Sequence, residues 1–572
     1  MKTPFLLLSL ALASGILLSD VFHLHFFPFI GLSAILLCLI ITYQYIRAHL
    51  SQPLIQTFLL SLLCFSIGIS IRSLQVHYKL SDTKEIQKHA SLKVVLTEYK
   101  GLKDKSKLWR GRCIQGSVSD SYFIHLYLDS SANLHKNDIL LIPNKHIEFC
   151  TESKNVWMIN SNMIAQAFPK YYIKATQPYI PNQIMQWSES LQQYTIKVIH
   201  LYLHDQDAAA IAISMILGQR TEISPALQNA YKNTGTIHIL AVSGMHVALL
   251  HQALIFMTAF SGNHKKIKTT KNIVSLFILW FYALLTGFSA SVVRAAAMFS
   301  LVLIASSLDK KDNGMNNLSA ASFILLCYDS SWLYDFGFLL SVSAVAGIFL
   351  FTPKVDTQEP SFIKKFLRNA AGVSIAAQLG TLPVSLYLSR SFPVYFLLAN
   401  MILIPISSLA LYLGLALLLT HHIPLLNTLN GFLLEYTLII MNYGAVFIAK
   451  LPGGLIYLYH FNTRCAAWSA VILFTLALYL HYKYKVLLHS LLISILLFVF
   501  YLNLQELKTQ SPSRAANKNY YQGQQIISLL KGRTLYIKHK GTEQPPYSWL
   551  RRKLNLEDGH VSQVIYIPFS EE

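Results

Sequence analysis

The sequence predicts a polytopic α-helical membrane protein of about ten to twelve spans, with a small extracytoplasmic β-barrel of OB-like type inserted in it. Three observations predict this class. Of the 572 residues, 53% are hydrophobic and only 13% are charged, about half the charged share of a soluble domain. Apolar runs recur near 5–19, 28–46, 54–75, 237–260, 272–288, 292–308, 316–328, 332–351, 370–388, 393–420, 430–449, 465–482 and 486–504. Several are short or interrupted by Gly or Pro, so the runs outnumber the spans. Between the third and fourth runs the pattern changes to short β-rich stretches punctuated by turn residues.

Residues 1–75 hold the first three spans. The first run resembles a signal-peptide core, but no small-residue cleavage site follows and further spans come directly after, so it reads as retained. Lys2, Arg47, Lys265, Lys266, Lys268, Lys271, Lys354, Lys364, Lys365, Arg368, Lys483 and Lys485 fall in loops that parity places on one side. By the positive-inside rule that side is cytoplasmic. The N-terminus is then cytoplasmic, and residues 76–182 and the tail after 505 lie outside. Arg72 and Arg390 run against the rule. The net charge of +20 invites a polyanionic partner. Lys and Arg concentrated in cytoplasmic loops account for much of that excess, so charge alone does not identify a substrate.

In the outside region 76–182, Leu92–Tyr99, Arg110–Ser119, Tyr122–Asp129, Asp138–Pro143 and His146–Cys150 read as short strands rich in Val, Ile, Tyr and Phe. Gly101, the Asn133–Asn137 cluster and Asn144 supply turn chemistry. Barrels of this kind bind single-stranded nucleic acid by stacking bases on aromatics within a basic groove. Tyr99, Trp109, Tyr122, Phe123 and Tyr127 are the candidate platforms, with Lys103, Lys105, Lys107, Arg110 and Arg112 beside them. The blander reading puts the aromatics in the barrel core and the lysines in a solvated loop. Of the six cysteines, Cys38, Cys64, Cys327 and Cys465 lie in apolar runs, whereas Cys113 and Cys150 lie in this outside region, where a disulfide between them is a candidate.

Residues 183–234 form an amphipathic segment and linker. Trp187, Leu191, Tyr194, Val198, Leu201 and Tyr202 recur at helical spacing with polar residues between them, which predicts a helix lying on the membrane surface or capping the bundle. The apolar bundle spans 235–504, and 505–572 is a short tail with β-like pieces at Gln525–Leu530, Thr534–Lys538 and Val561–Ile567.

The bundle opens on an unusual stretch, Gly235 to His251. Its first half carries His238, Ser243, Gly244 and His246 within an apolar run. Unpaired polar groups facing hydrocarbon cost several kcal/mol each, so the stretch is expected to face protein or water as a broken or re-entrant helix.

Leu217-Gly218-Gln219-Arg220, Tyr231, Gly235 and His238-Ile-Leu-Ala-Val-Ser-Gly-Met-His246 together resemble the signature of the ComEC competence family, inner-membrane channels of natural transformation. Thr286-Gly287-Phe-Ser-Ala-Ser-Val-Val-Arg294 is similar to the next motif, with Ala290 where proline is usual. Asp335-Phe-Gly337-Phe-Leu-Leu-Ser341 is similar to a further one, with Leu339 in place of glutamine. Gln378-Leu-Gly-Thr381-Leu-Pro383 and Asn400 to Pro405 complete the series. The resemblance implies a channel that passes single-stranded DNA into the cytoplasm. It also implies partners: a DNA receptor and pilus machinery outside, a helicase or single-strand-binding protein inside, and a separate nuclease. Long members carry a metallo-β-lactamase-like domain that needs a His-x-His-x-Asp-His run. That run is not found here, since His23-Leu-His25 lacks the acid. The expectation is a channel that is not an enzyme, with no metal and no cofactor, held in the lipid bilayer.

A phosphate backbone cannot enter hydrocarbon, so such a channel requires a hydrated path. His238, Ser243, Gly244, His246, Arg294, Gln378, Thr381 and Asn400 are the candidate path and gate residues, together with Ser289 and Ser291. Arg294 is expected either to contact phosphate or to snorkel or cap carbonyls. Gly235, Gly287, Pro383 and Pro405 are read as helix-break and packing positions. Two rival classes remain open. One is a secondary transporter of another solute, which also uses broken helices. The other is an intramembrane hydrolase with Ser243 as nucleophile and His246 or His238 as base, which would need an orienting acid that the sequence does not place. The chain has no phosphate-cradling Gly-rich loop, so movement would need a powered partner.

Overall fold

The computed structural model describes residues 4–22, 28–33, 35–37, 40, 53–87, 89–103, 106–114, 122–129, 134–149, 163–169, 171–175, 179, 181–257, 265–307, 313–352, 362–458, 461–509, 514–521, 524–531, 534–539 and 563–568. Helices α1 (Pro4–Phe22) and α2 (Pro53–Gln87) follow the first and third apolar runs. They approach backbone to backbone: a Cβ on Gly15 would sit 2.1 Å from the Phe65 carbonyl oxygen, and one on Gly68 would sit 2.4 Å from that of Leu12. Small residues at a crossing allow such contact where lipid offers no hydrophobic drive. Buried Arg72 on α2 is held by Asp20 of α1 through two bonds, Nε–Oδ1 at 2.8 Å and Nη2–Oδ2 at 2.9 Å. That pairing neutralises one of the two arginines that run against the positive-inside rule.

At about 1.5 Å per residue, the 35 residues of α2 exceed a hydrocarbon core of about 30 Å. Its far end enters the β domain, so the membrane helix extends to Gln87 rather than stopping at 75. There Tyr122 donates to Asp82 Oδ2 at 2.7 Å, and Asn144 Nδ2 donates to the Gln87 carbonyl at 2.8 Å. The domain contains β1 (Ser91–Lys103), β2 (Ser106–Cys113), β3 (Phe123–Asp129), β4 (Ile139–Pro143), β5 (Ile147–Phe149), β6 (Met163–Ala167) and β7 (Ile173–Lys174). They form one seven-stranded sheet in the order β5-β6-β3-β2-β1-β4-β7. Among the described residues its edge strands β5 and β7 do not pair with each other, so the described sheet is a half-barrel. Alternation along β1, β2, β3 and β4 sends Leu92, Val94, Leu96, Trp109, Ile124, Leu126, Leu128, Leu140 and Ile142 into one core.

Helix α3 (Gln183–Tyr202) is the amphipathic helix, with Val198 and Ile199 buried beside polar residues. Its polar Ser188, Gln192 and Thr195 are buried against the bundle, while Trp187, Tyr194 and Leu201 are exposed. An exposed apolar stripe on a bundle-docked helix suits a lipid interface. Next come α4 (Gln206–Leu217) and α5 (Pro225–Asn233). Every residue of α4 from Ala208 to Leu217 is buried; a helix apolar all round belongs at a core. Then follow α6 (Gly244–Met257), α7 (Lys265–Leu285), α8 (Ala290–Ser307), α9 (Gly314–Tyr328) and α10 (Phe336–Phe351).

The rest of the chain divides between two compact units, 1–349 with 396–450, and 350–395 with 451–572. The second unit begins with α11 (Phe362–Ser389) and β8 (Ser391–Pro393). The first is completed by α12 (Phe396–Thr420) and α13 (Pro424–Ala449), which pack on α4. The second continues through β9 (Leu455–Tyr457), α14 (Thr463–Tyr482) and α15 (Lys485–Thr509). It ends in β10 (Arg514–Tyr521), β11 (Gln524–Lys531), β12 (Thr534–His539) and β13 (Gln563–Pro568). These four strands form a mixed sheet whose last three match the β-like pieces of the tail, with β12 and β13 parallel.

Eight helices among the described residues are long and apolar enough to cross a membrane, and five more are apolar but shorter. Pro383 and Pro405 lie inside continuous helices, so the breaks expected at these prolines are not seen. Each removes one backbone donor without ending its helix.

Candidate polar path in the membrane bundle

The stretch from Gly235 is broken, as its glycines suggest. Helix α5, N-capped by Ser224 with Pro225 in its first turn, ends in a Schellman motif. Thr236 N–H bonds the Tyr231 carbonyl at 2.9 Å and Gly235 N–H bonds that of Lys232 at 3.1 Å, with Gly235 at φ 78°. A 3-10 turn at Ile237–Leu240 follows, then extended Ala241, and α6 starts at Gly244.

Carbonyls freed by the break need donors. Leu240 C=O accepts from Ser214 Oγ and from Arg220 Nε, the latter at 3.1 Å. Val242 C=O accepts from Ser291 Oγ of α8 at 2.6 Å. Gln219 Nε2 donates to Gln192 Oε1 of α3 at 3.0 Å. The Leu-Gly-Gln-Arg motif therefore clamps the break, and Ser291, expected to line a path, is committed to a carbonyl.

Ser243 and His246 form a cap. Ser243 is the residue before α6 and His246 lies three further on. Its Nδ1 accepts the Ser243 backbone N–H at 3.1 Å and faces Ser243 Oγ at 3.0 Å. That is the reach-back of a capping box, with imidazole where Glu or Gln usually stands. The arrangement places the ring proton on Nε2, which is buried without a hydrogen-bond partner. Neither Glu435 nor Asp335 orients this ring. Glu435 Oε1 accepts the backbone N–H groups of His204 at 2.8 Å and Asp205 at 2.6 Å, closing the α3–α4 turn. Asp335 Oδ1 accepts Phe338 N–H at 2.7 Å, capping α10, and pairs with Arg294 Nη1 at 3.3 Å.

His238, on the 3-10 turn, is exposed. Further buried polar atoms without partners belong to the same unit: Ser289 Oγ just before α8, Arg294 Nε on α8, and Asn400 Oδ1 on α12. Native structures leave few such atoms unsatisfied, because each costs about 1–3 kcal/mol. Gly244 packs near Ala295 of α8, 3.8 Å from where its Cβ would be, which brings the cap and the Arg294 helix together. Gln378 and Thr381 fall in the other unit; Thr381 Oγ1 donates to the Ala377 carbonyl at 3.0 Å within its own helix.

Gly287 closes α7 with a second Schellman motif: Phe288 N–H bonds the Ala283 carbonyl at 2.7 Å and Gly287 N–H bonds that of Leu284 at 3.0 Å. Helix α3 docks there, with Ser188 Oγ donating to the Leu284 carbonyl at 2.6 Å.

The predicted stacking aromatics of the β domain divide by face. Trp109 and Tyr122 are buried in the core, with Tyr99 packed against it. Phe123 and Tyr127 alternate to the other face, where Tyr127 stacks on Phe168 with centroids 4.6 Å apart. On that face the Arg110 guanidinium lies 3.7 Å from the Phe123 ring centroid, and that of Arg112 lies 5.8 Å from it. Lys105 and Cys150 lie outside the described residues, and Cys113 points into the core. Sequence reasoning missed Asp20 and Asp335 as partners of arginines; an acid bordering an apolar run was the available signal.

A bundle of apolar helices with a clamped break and polar atoms turned inward defines a polytopic membrane protein. Residues 215–483 match the model of the Competence protein family. ComE operon protein 3 of Bacillus subtilis (strain 168) is 27% identical over 245 residues, 40% of this chain and 30% of that protein. An uncharacterized protein of Aquifex aeolicus (strain VF5) is 24% identical over 249 residues, 42% of this chain and 56% of that one. The aligned regions thus span about a third and about half of these relatives' lengths. No solved structure matches. Family and apolar helices together make this a multi-pass inner-membrane protein.

Proposed function

We propose that this protein conducts one strand of DNA across the inner membrane during natural transformation, without catalysing a reaction itself. The single observation that carries the reading is the clamped helix break, beside which His246 Nε2 is buried with no hydrogen-bond partner. Ser289 Oγ, Arg294 Nε and Asn400 Oδ1 add unpartnered polar atoms that a wet path would satisfy. The aromatic and guanidinium face of the β half-barrel is the receiving surface, because rings and arginines bind single strands without sequence preference. A DNA receptor and pilus machinery would deliver the strand outside, a separate nuclease would remove its complement, and a helicase or single-strand-binding protein would draw it inward. The N-terminus is cytoplasmic in this scheme.

The test is uptake of labelled DNA by a strain deleted for this protein. Label is expected to stay bound outside the inner membrane and be lost from the cytoplasm. Normal cytoplasmic entry rejects the proposal.

A further inference from the structure

Helix α3 begins beside the half-barrel, where Lys136 pairs with its Glu189 at 2.7 Å. From Tyr194 onward it follows α13 inward. The Tyr194 hydroxyl meets the ring of His421, just ahead of α13. Asn427 Nδ2 donates to the Tyr202 hydroxyl at 2.8 Å, and a Cβ on Gly431 would lie 2.9 Å from that of Tyr202. Glu435 then accepts the His204 and Asp205 N–H groups. Helix α4 turns back. Its Ile216 carbonyl accepts from Tyr282, near the end of α7, at 3.3 Å. Gln219, just beyond α4, returns to Gln192 of α3 at 3.0 Å. One leg goes in, the other comes out, and the two meet again near where they began.

These contacts give the turn a depth. Glu435 lies near the middle of α13, roughly 16 Å from its start at about 1.5 Å per residue. Helix α13 is long and apolar enough to cross a membrane, so its middle corresponds to the middle of a hydrocarbon core about 30 Å thick. At that level His204, Asp205, Gln206 and Asp207 are all exposed. Exposed polar groups continue from there. Glu222 lies 3.2 Å from His200, and Lys232 is on α5, where the adjacent Tyr231 donates to Asn442 of α13 at 2.8 Å. Lipid does not accept a non-helical turn with exposed charges; at this depth such backbone must line water.

We propose that α3 and α4 form a re-entrant hairpin whose charged tip opens on a water-filled recess at the middle of the bilayer, and that the recess is a hydrated stretch of the strand's path. Its use as a path rests on the conduit reading above; its existence does not. The acids there are partly committed, Glu435 to two N–H groups and Asp205 Oδ1 to the Ala208 N–H at 2.7 Å. Carboxylates repel a phosphate backbone, so a strand passes this point without being held, as conduction requires.

The test begins with the unmodified full-length protein in neutral-lipid nanodiscs. A water-soluble carbodiimide with glycinamide, and separately the lipid-soluble dicyclohexylcarbodiimide, label its carboxylates, which are read by mass spectrometry. Asp207 is expected to react with the water-soluble reagent within about threefold of the rate of Glu85, which is exposed on α2 beside the half-barrel. Labelling of Asp207 by the lipid-soluble reagent alone, or by neither, overturns the recess. Asp207→Trp, which fills the recess, is expected to cut DNA uptake about tenfold or more at an unchanged membrane level, whereas Asp207→Asn keeps it within about threefold. Full uptake in Asp207→Trp overturns the path and leaves the recess to the labelling result. Normal uptake in the deletion strain rejects the conduit itself, and the labelling still judges the hairpin.

Discussion

Replacing Gly287 with alanine tests how the amphipathic helix is coupled to the bundle. Gly287 has φ 68° at the close of α7, and its added Cβ would sit 2.6 Å from Gln192 Nε2 and 3.8 Å from Ser188 Oγ. The left-handed backbone costs an L-residue about 1–2 kcal/mol. Gln192 is buried, so its amide escapes only by giving up its bond to Gln219, worth about 1 kcal/mol more. The sum is about 2–3 kcal/mol. Gly453 provides the internal control, with φ 70° and no atom within 4 Å of its added Cβ. Gly453→Ala should therefore cost only the backbone part of about 1–2 kcal/mol. Thermal unfolding of the purified variants in detergent measures both. Gln192→Ala combined with Gly287→Ala should cost less than the sum of the single changes, because the clash is gone. Equal losses at the two glycines, or strict additivity with Gln192→Ala, would refute the docking described here.

Four other outcomes follow from the same geometry. Asp20→Ala leaves Arg72 buried without its bidentate partner and should cost about 3–5 kcal/mol, most of it recovered by adding Arg72→Met; equal loss in single and double variants counts against the pair. Ser291→Ala strips the Val242 carbonyl of its 2.6 Å donor and should lower stability by about 1–3 kcal/mol, with DNA uptake falling in parallel; unaltered melting would show that another donor serves that carbonyl. His246→Gln keeps an acceptor for the Ser243 N–H and should retain membrane insertion and most uptake, whereas a catalytic imidazole would make the same change abolish uptake.

The fourth concerns acid. Burial raises the Asp138 pKa, but the Lys174 ammonium at 2.7 Å and the His135 backbone N–H prevail and leave it lowered. A lowered folded-state pKa means that this stabilisation is present above the ordinary carboxylate range and is lost as pH falls through the folded value, below about pH 4. Fluorescence of Trp109, buried in the half-barrel core, should report acid unfolding there; a profile no flatter in Asp138→Asn removes the role assigned to this pair.

The apolar runs, most of the alternating strands and the helical spacing of 187–202 were legible along the chain, because each depends on neighbours a few residues away; the strand read at Arg110–Ser119 instead runs Ser106–Cys113, and residues 115–119 lie outside the described residues. The breaks at Gly235 and Gly287 were legible for the same reason, since a left-handed residue at a helix end is a local demand that glycine meets. Strand β6 was not, because its place is a parallel pairing with β3, which no nearby turn announces. Pro383 and Pro405 misled because a proline removes one bond, and a packed membrane helix tolerates that loss.

Chemistry divides in the same way. Residue types alone marked 235–251 as a stretch unfit for lipid, and motif order alone pointed to the competence family. Only the tertiary structure decided that Ser243 and His246 make a cap, that Ser214, Arg220 and Ser291 hold the carbonyls of the break, and that Asp20 and Asp335 answer Arg72 and Arg294. The acids sit 52 and 41 positions from their arginines. Which of them meet depends on how far each helix is turned about its axis and how deep it sits, quantities set by packing between segments and by no local pattern.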